Sequence, residues 1–110
     1  MEKITLYEFE SPSIKISMEI YFNENNQLIF DGYDIGETVK DLMGDSDYEY
    51  YYTIEFEEVK KIAALLGADI NDKMAILLAI EKHFNGNDAY SKFGNFMKKN
   101  NIIYEQFTWI

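Results

Sequence analysis

Strict alternation marks the start of the chain: Ile14, Ile16, Met18, Ile20 and Phe22 are separated by Lys15, Ser17, Glu19 and Tyr21. A period of two places the first set on one face of a β-strand and the second on the other. Residues 3–10 read as a preceding strand, joined through Ser11-Pro12-Ser13, where a proline with no N–H to donate is harmless. Asn23-Glu24-Asn25-Asn26 is the next turn. Gln27 to Tyr33 then completes a three-stranded meander, which Asp31-Gly32-Tyr33-Asp34-Ile35-Gly36 leaves. A short amphipathic turn from Glu37 to Met43 buries Val39, Leu42 and Met43, and Gly44-Asp45-Ser46-Asp47 turns the chain again. In a fourth strand, Tyr48 to Ile54, the residues Tyr48, Tyr50, Tyr52 and Ile54 face inward, while Glu49, Tyr51 and Thr53 face outward.

After Phe56 the period changes. Val59, Ile62, Ala63 and Leu66 follow helical spacing, with Gly67 as the terminating residue. Asn71 is the expected N-cap of a second helix running to about residue 85. Its Met74, Leu77, Leu78 and neighbours are apolar nearly all round, which predicts a deeply placed helix. Gly86 closes it, and Asn87 caps a third helix carrying Tyr90, Phe93, Phe96 and Met97, with Lys98 and Lys99 meeting the C-terminal dipole. Ile102 to Ile110 alternates again and reads as a strand returning to the sheet. The prediction is one α+β domain over residues 1–110: a mostly antiparallel sheet, N-terminal meander plus C-terminal strand, with about three helices on one face.

The inventory narrows the chemistry. At 110 residues the chain buries about two-thirds of its unfolded surface. Ten lysines against twenty Asp and Glu give a net charge of −10, which repels nucleic-acid phosphates and anionic lipid, so neither is expected as a direct partner. The chain has no Arg, no Cys and one His, so phosphate forks, thiol chemistry and zinc sites lack their usual parts. The start of the chain enters strand alternation directly, without the apolar stretch and cleavage site of a secretory signal. With zero cysteines, this reads as a cytoplasmic protein. The Lys, Asn, Ile and Tyr bias fits an AT-rich bacterial gene.

The charge is local. Residues 1–58 hold 15 acids and 3 lysines, a balance of −12; residues 59–110 hold 5 and 7, a balance of +2. A solvated, solubility-giving face is the plain reading of such acidity. This excess, however, is one-sided and interleaved with tyrosine, a residue enriched in interface cores. It concentrates at Asp31, Asp34, Asp45, Asp47, Glu49 and Tyr51, the candidate partner-binding residues. The carboxylates would steer a basic protein partner and Tyr51 would anchor it once water is expelled.

Catalytic readings are weaker. Asp45-Ser46-Asp47 with Glu49 offers oxygens at alternate positions, like the start of a calcium loop. It has no glycine at the sixth place and Phe56 at the twelfth, so no metal is expected. His83 ends the second helix, where it suits a carbonyl cap rather than a general base. None of the five serines sits in a nucleophile elbow, and the glycines form neither a Walker loop nor a dinucleotide fingerprint, so no cofactor is expected. Trp109 reads as pinning the last strand into the core, with an exposed anchor as the other reading.

The stretch Leu28 to Ile54, Leu-Ile-Phe-Asp-Gly-Tyr-Asp-Ile-Gly and then Gly-Asp-Ser-Asp-Tyr-Glu-Tyr, resembles a pattern in small acidic bacterial proteins. Some of these are similar to immunity proteins of contact-dependent and polymorphic toxin systems. The resemblance covers about a quarter of the chain, rests on size, charge and composition, and carries no catalytic residue. It implies a cytoplasmic inhibitor that binds a toxin domain, often a basic nuclease, and blocks its active site. The expectation is therefore a non-enzymatic inhibitor. The alternatives are a self-associating adaptor subunit and, behind it, a divalent-metal-dependent hydrolase.

Overall fold

The computed structural model describes residues 2–36 and 47–109. The two alternating segments become β1, Lys3–Glu10, and β2, Ile14–Phe22, followed by β3, Leu28–Gly36, and β4, Asp47–Ile54. Three helices follow: α1, Phe56–Leu66, α2, Lys73–His83, and α3, Ala89–Lys99. The chain returns as β5, Glu105–Trp109. All neighbouring strands pair antiparallel in the order β1-β2-β3-β4-β5, so the helices form the connection between two adjacent strands. The architecture is the expected α+β one. The expected amphipathic turn at Glu37–Met43 and the turn at Gly44-Asp45-Ser46 lie outside the described residues.

The inner face gathers Ile20, Phe22, Leu28, Phe30, Tyr50, Tyr52 and Ile54 against Val59 and Ile62 of α1, Ile76, Leu77 and Ile80 of α2, and Phe93 and Met97 of α3. Each such side chain contributes roughly 1.5–3 kcal/mol through lost apolar exposure. Phe30 is fully buried and meets Tyr90 edge-on at 5.3 Å and Phe93 in a stack at 5.9 Å. Tyr52 lies flat on Tyr90, centroids 4.1 Å apart and planes 5° apart, and its hydroxyl donates to the Tyr90 carbonyl at 3.1 Å. Gly94 makes that approach fit, since a Cβ there would stand 2.1 Å from the Tyr52 hydroxyl.

The third strand does not end at Tyr33. Asp34 and Ile35 pair with Ile16 and Lys15 of β2 and with Tyr48 and Asp47 of β4, so the Asp-Gly run stays inside the sheet. Gly32, which reads as a breaker, faces Tyr50 across the ladder. A Cβ at Gly32 would come within 2.1 Å of the Tyr50 ring, so its absence is a packing requirement.

The helix ends also shift. Asp72, not Asn71, caps α2 by accepting the Ala75 N–H at 3.0 Å, while the Asn71 N–H is taken by Asp69 at 2.8 Å. Asp88, not Asn87, precedes α3; it makes no capping bond and pairs with Lys92 at 3.2 Å. The second helix ends at His83, whose Nδ1 lies 2.8 Å from the Ala79 carbonyl, the capping role expected of it. That helix is not deep on every side, because Leu78 is 47% exposed. Gly67 ends α1 with φ 75°, a left-handed conformation suited to glycine, and its N–H reaches the carbonyls of Ala63 and Ala64. Glu58, in the first turn of α1, accepts the Ile103 N–H at 2.7 Å and Lys61 Nζ at 3.0 Å, fastening α1 to the chain beyond α3.

Candidate functional site

The three described helices pack on one face of the sheet, and the ladder arranges the outward residues of the other face in rows. Thr5, Glu19, Asp31, Tyr51 and Phe107 form one row, and Glu8, Ser17, Tyr33, Glu49 and Trp109 the next. Lys3, Tyr21, Ile29, Thr53 and Glu105 flank the first, and Glu10, Lys15, Ile35 and Asp47 flank the second. Among the described strand residues the face thus carries seven carboxylates against two lysines, equal to half of the chain's net charge of −10. A β-bulge between Thr5 and Tyr7 resets the alternation of β1, which is why Glu8 and Glu10 share this face with Thr5.

Four candidate residues, Asp31, Asp47, Glu49 and Tyr51, stand on this face. Asp34 does not. It lies three residues from Asp31 on the same strand, and an odd spacing puts it on the helix side, where Tyr50 donates a hydrogen bond to its Oδ1 at 2.8 Å. Asp45 lies outside the described residues. Among the described residues no group of three His, Cys, Asp or Glu side chains comes together to hold a metal ion.

The electrostatics of the face are unfavourable on their own. Asp31 and Glu19 are directly opposite on neighbouring strands, a like-charge pairing that weakens a sheet. Partial burial raises the Asp31 carboxyl above its ordinary value of 3.8, and Glu19 and then Glu49 push the same way, with Lys3 opposing. Tyr51 donates to Glu49 at 3.1 Å; burial first and that bond second push its phenol up to about 12, so it is a proton donor at neutral pH.

The rise at Asp31 has a definite sign in stability. An acid that holds its proton more tightly folded than unfolded stabilises the fold as pH falls through its folded-state value, and is a cost when ionised. Asp31→Asn is therefore expected to raise stability at pH 7, by about 0.5 kcal/mol for relieving one cross-strand repulsion. The gain should disappear once the pH is below 3.8, where the native carboxyl is protonated as well. Urea unfolding of both proteins at the two pH values checks this.

The residue that sequence patterning misses is Phe107; for Trp109 it favours the buried reading over the exposed one. Trp109 does not pin the last strand into the core: it is 59% exposed and Phe107 is 53% exposed, both on the outer face. Their rings continue a line from Tyr51, with centroids 6.2 Å from Tyr51 to Phe107 and 6.0 Å from Phe107 to Trp109. The inward positions of β5 go to Gln106 and Thr108, and Gln106 Nε2 donates to the Tyr90 hydroxyl at 3.2 Å. Polar residues pointing toward the helices, with aromatics outward, invert the usual assignment. The alternation was visible in sequence, but its direction was not.

Comparison with protein-family models, curated proteins and solved structures finds no match to the chain.

Proposed function

We propose that this protein is a non-enzymatic, immunity-type inhibitor that works in the cytoplasm. Its outer sheet face, on which none of the described helices packs, would occlude a cationic surface of a protein partner, such as the nucleic-acid cleft of a toxin domain. One observation carries the reading: a line of aromatic rings, half-buried Tyr51 and exposed Phe107 and Trp109, runs through a field of carboxylates that repel one another. A face selected only for solubility gains nothing from setting Asp31 opposite Glu19 or from exposing two large aromatic side chains. A basic partner offsets the repulsion, and the rings supply contact area as water leaves. A site that attracts phosphates attracts carboxylates for the same reason.

The exposed pair Phe107 and Trp109 also favours a second reading, self-association through the same face. Salt separates the two. Screening weakens attraction between opposite charges but relieves repulsion between two copies of an acidic face. The test is to co-purify the protein with the product of the adjacent gene and measure affinity over a salt series, with light scattering of the protein alone alongside. The inhibitor reading expects a complex that weakens as salt rises. No complex, a complex indifferent to salt, or a homodimer that tightens with salt would overturn it.

A further inference from the structure

On the opposite side of the sheet from the acidic face, a cavity of about 320 Å³ opens where the strands meet the start of α3. Met18, Asp34, Tyr48 and Tyr50 line it from the sheet, and Tyr90 and Ser91 are among the residues lining it from the helix. The ladder builds its floor. Gly32 pairs with Met18 on one side and Tyr50 on the other, and Asp34, two residues on, pairs with Tyr48. With no Cβ at Gly32, the Tyr50 ring lies close over β3 and its hydroxyl reaches Asp34 Oδ1 at 2.8 Å. Tyr50 is 4% exposed. Its ring is 4.7 Å from that of Tyr90 at 66° and 5.4 Å from that of Tyr48 at 44°, so three phenol rings cluster beside one carboxylate.

Asp34 is held by the Tyr50 hydroxyl but, among the described residues, makes no ion pair. Half-burial raises its carboxyl above the ordinary range, and the Tyr50 bond only partly offsets this. The phenol of Tyr50 is pushed far upward by burial and by Asp34, so it is a fixed donor and not a base. Among the described residues the cavity therefore presents one negative charge, that of Asp34, among aromatic rings, the Met18 thioether, Asn87 and the Ser91 hydroxyl. An anion is repelled there, and a neutral guest leaves the charge unmet. A hard divalent cation asks for more anionic oxygen than the one carboxylate here, which has only phenols, Asn87 and the Ser91 hydroxyl beside it. A cation with an apolar stem satisfies each part, its charge meeting Asp34 and the ring faces and its methylenes meeting Met18.

We propose that the cavity formed by Met18, Asp34, Tyr48, Tyr50 and Tyr90 is a binding site for an alkylammonium group. The group is either a free amine or the lysine side chain of a protein. The site shares no residue with the acidic face and stands whether or not that face binds a partner.

The test titrates the isotope-labelled protein with n-butylammonium and with Nα-acetyl-lysine amide, using n-butanol and butyrate as neutral and anionic controls. Amide shifts of Gly32, Asp34, Tyr48 and Tyr50 are followed by NMR. The expected result is saturable shifts at these residues with both amines, at dissociation constants on the order of 1 mM for so small a guest, and none with the controls. Asp34→Asn, which keeps the shape, is expected to weaken binding about tenfold or more, and Tyr48→Leu severalfold. Tighter binding of the lysine derivative assigns the site to a protein side chain; tighter binding of butylammonium assigns it to a free amine. Equal shifts with butanol, no saturation with either amine, or unchanged binding in a folded Asp34→Asn protein overturns the proposal.

Discussion

Replacing Phe30 with alanine is expected to remove most of the protein's stability. The ring is fully buried and packs against Tyr52, Tyr90 and Phe93, so it joins the sheet to α3 at the centre of the core. A phenylalanine-to-alanine change in such a place costs about 3–5 kcal/mol through lost transfer energy and the cavity left behind. Domains of this size have only about 5–15 kcal/mol in total. The matched control is Phe107→Ala on the same sheet. That ring is more than half exposed, so the change should stay within about 0.5 kcal/mol. Chemical denaturation of both variants measures the difference, and near-UV circular dichroism shows whether tyrosine packing survives in Phe30→Ala. Equal losses would mean that the outer face is part of the core, and the site assignment would fail with it.

The second large effect concerns binding. Reversing Asp31 and Glu49 together to lysine turns two central negative charges of the outer face positive. With a cationic partner, association is expected to slow on the order of 10- to 100-fold at low salt, and the deficit should shrink as salt rises. Stability should move the other way or hardly at all, since the change removes the repulsion between Asp31 and Glu19. Trp109→Ala should act on dissociation instead. Losing an aromatic anchor costs about 2 kcal/mol, roughly thirtyfold in affinity, while an exposed side chain contributes little to the fold. Stopped-flow association and surface-based dissociation measurements separate the two variants. If the double reversal binds at the native rate at every salt concentration, the acidic face is a solvated surface and no more.

These two predictions rest on different kinds of information. Phe30 could be placed in the core from sequence, because it follows Leu28 at a spacing of two and faces an alternating neighbour strand. The outer face could be recognised only in part. The even-numbered tyrosines of β4 are inward and Tyr51 outward, as period two requires. Asp31 and Asp34 looked like one cluster because they are close in sequence, yet the register places them on opposite faces. Reading Asp-Gly as the end of a strand hid that register. Gly32 stays in the ladder because a ring from the next strand needs the space of its missing Cβ.

Composition and periodicity determined the class of fold, the number and order of strands and helices around the core, and the negative character of the strand-rich part. These follow from local rules, since burial demands an apolar face with the period of each element and the charge is fixed by residue type. Which carboxylates share a surface was decided only by tertiary structure. So were the outward turn of Phe107 and Trp109, and the meeting of Asp34 with three tyrosines beneath α3. Those depend on strand register and on which face the helices cover, and both are set by contacts between residues far apart in the chain.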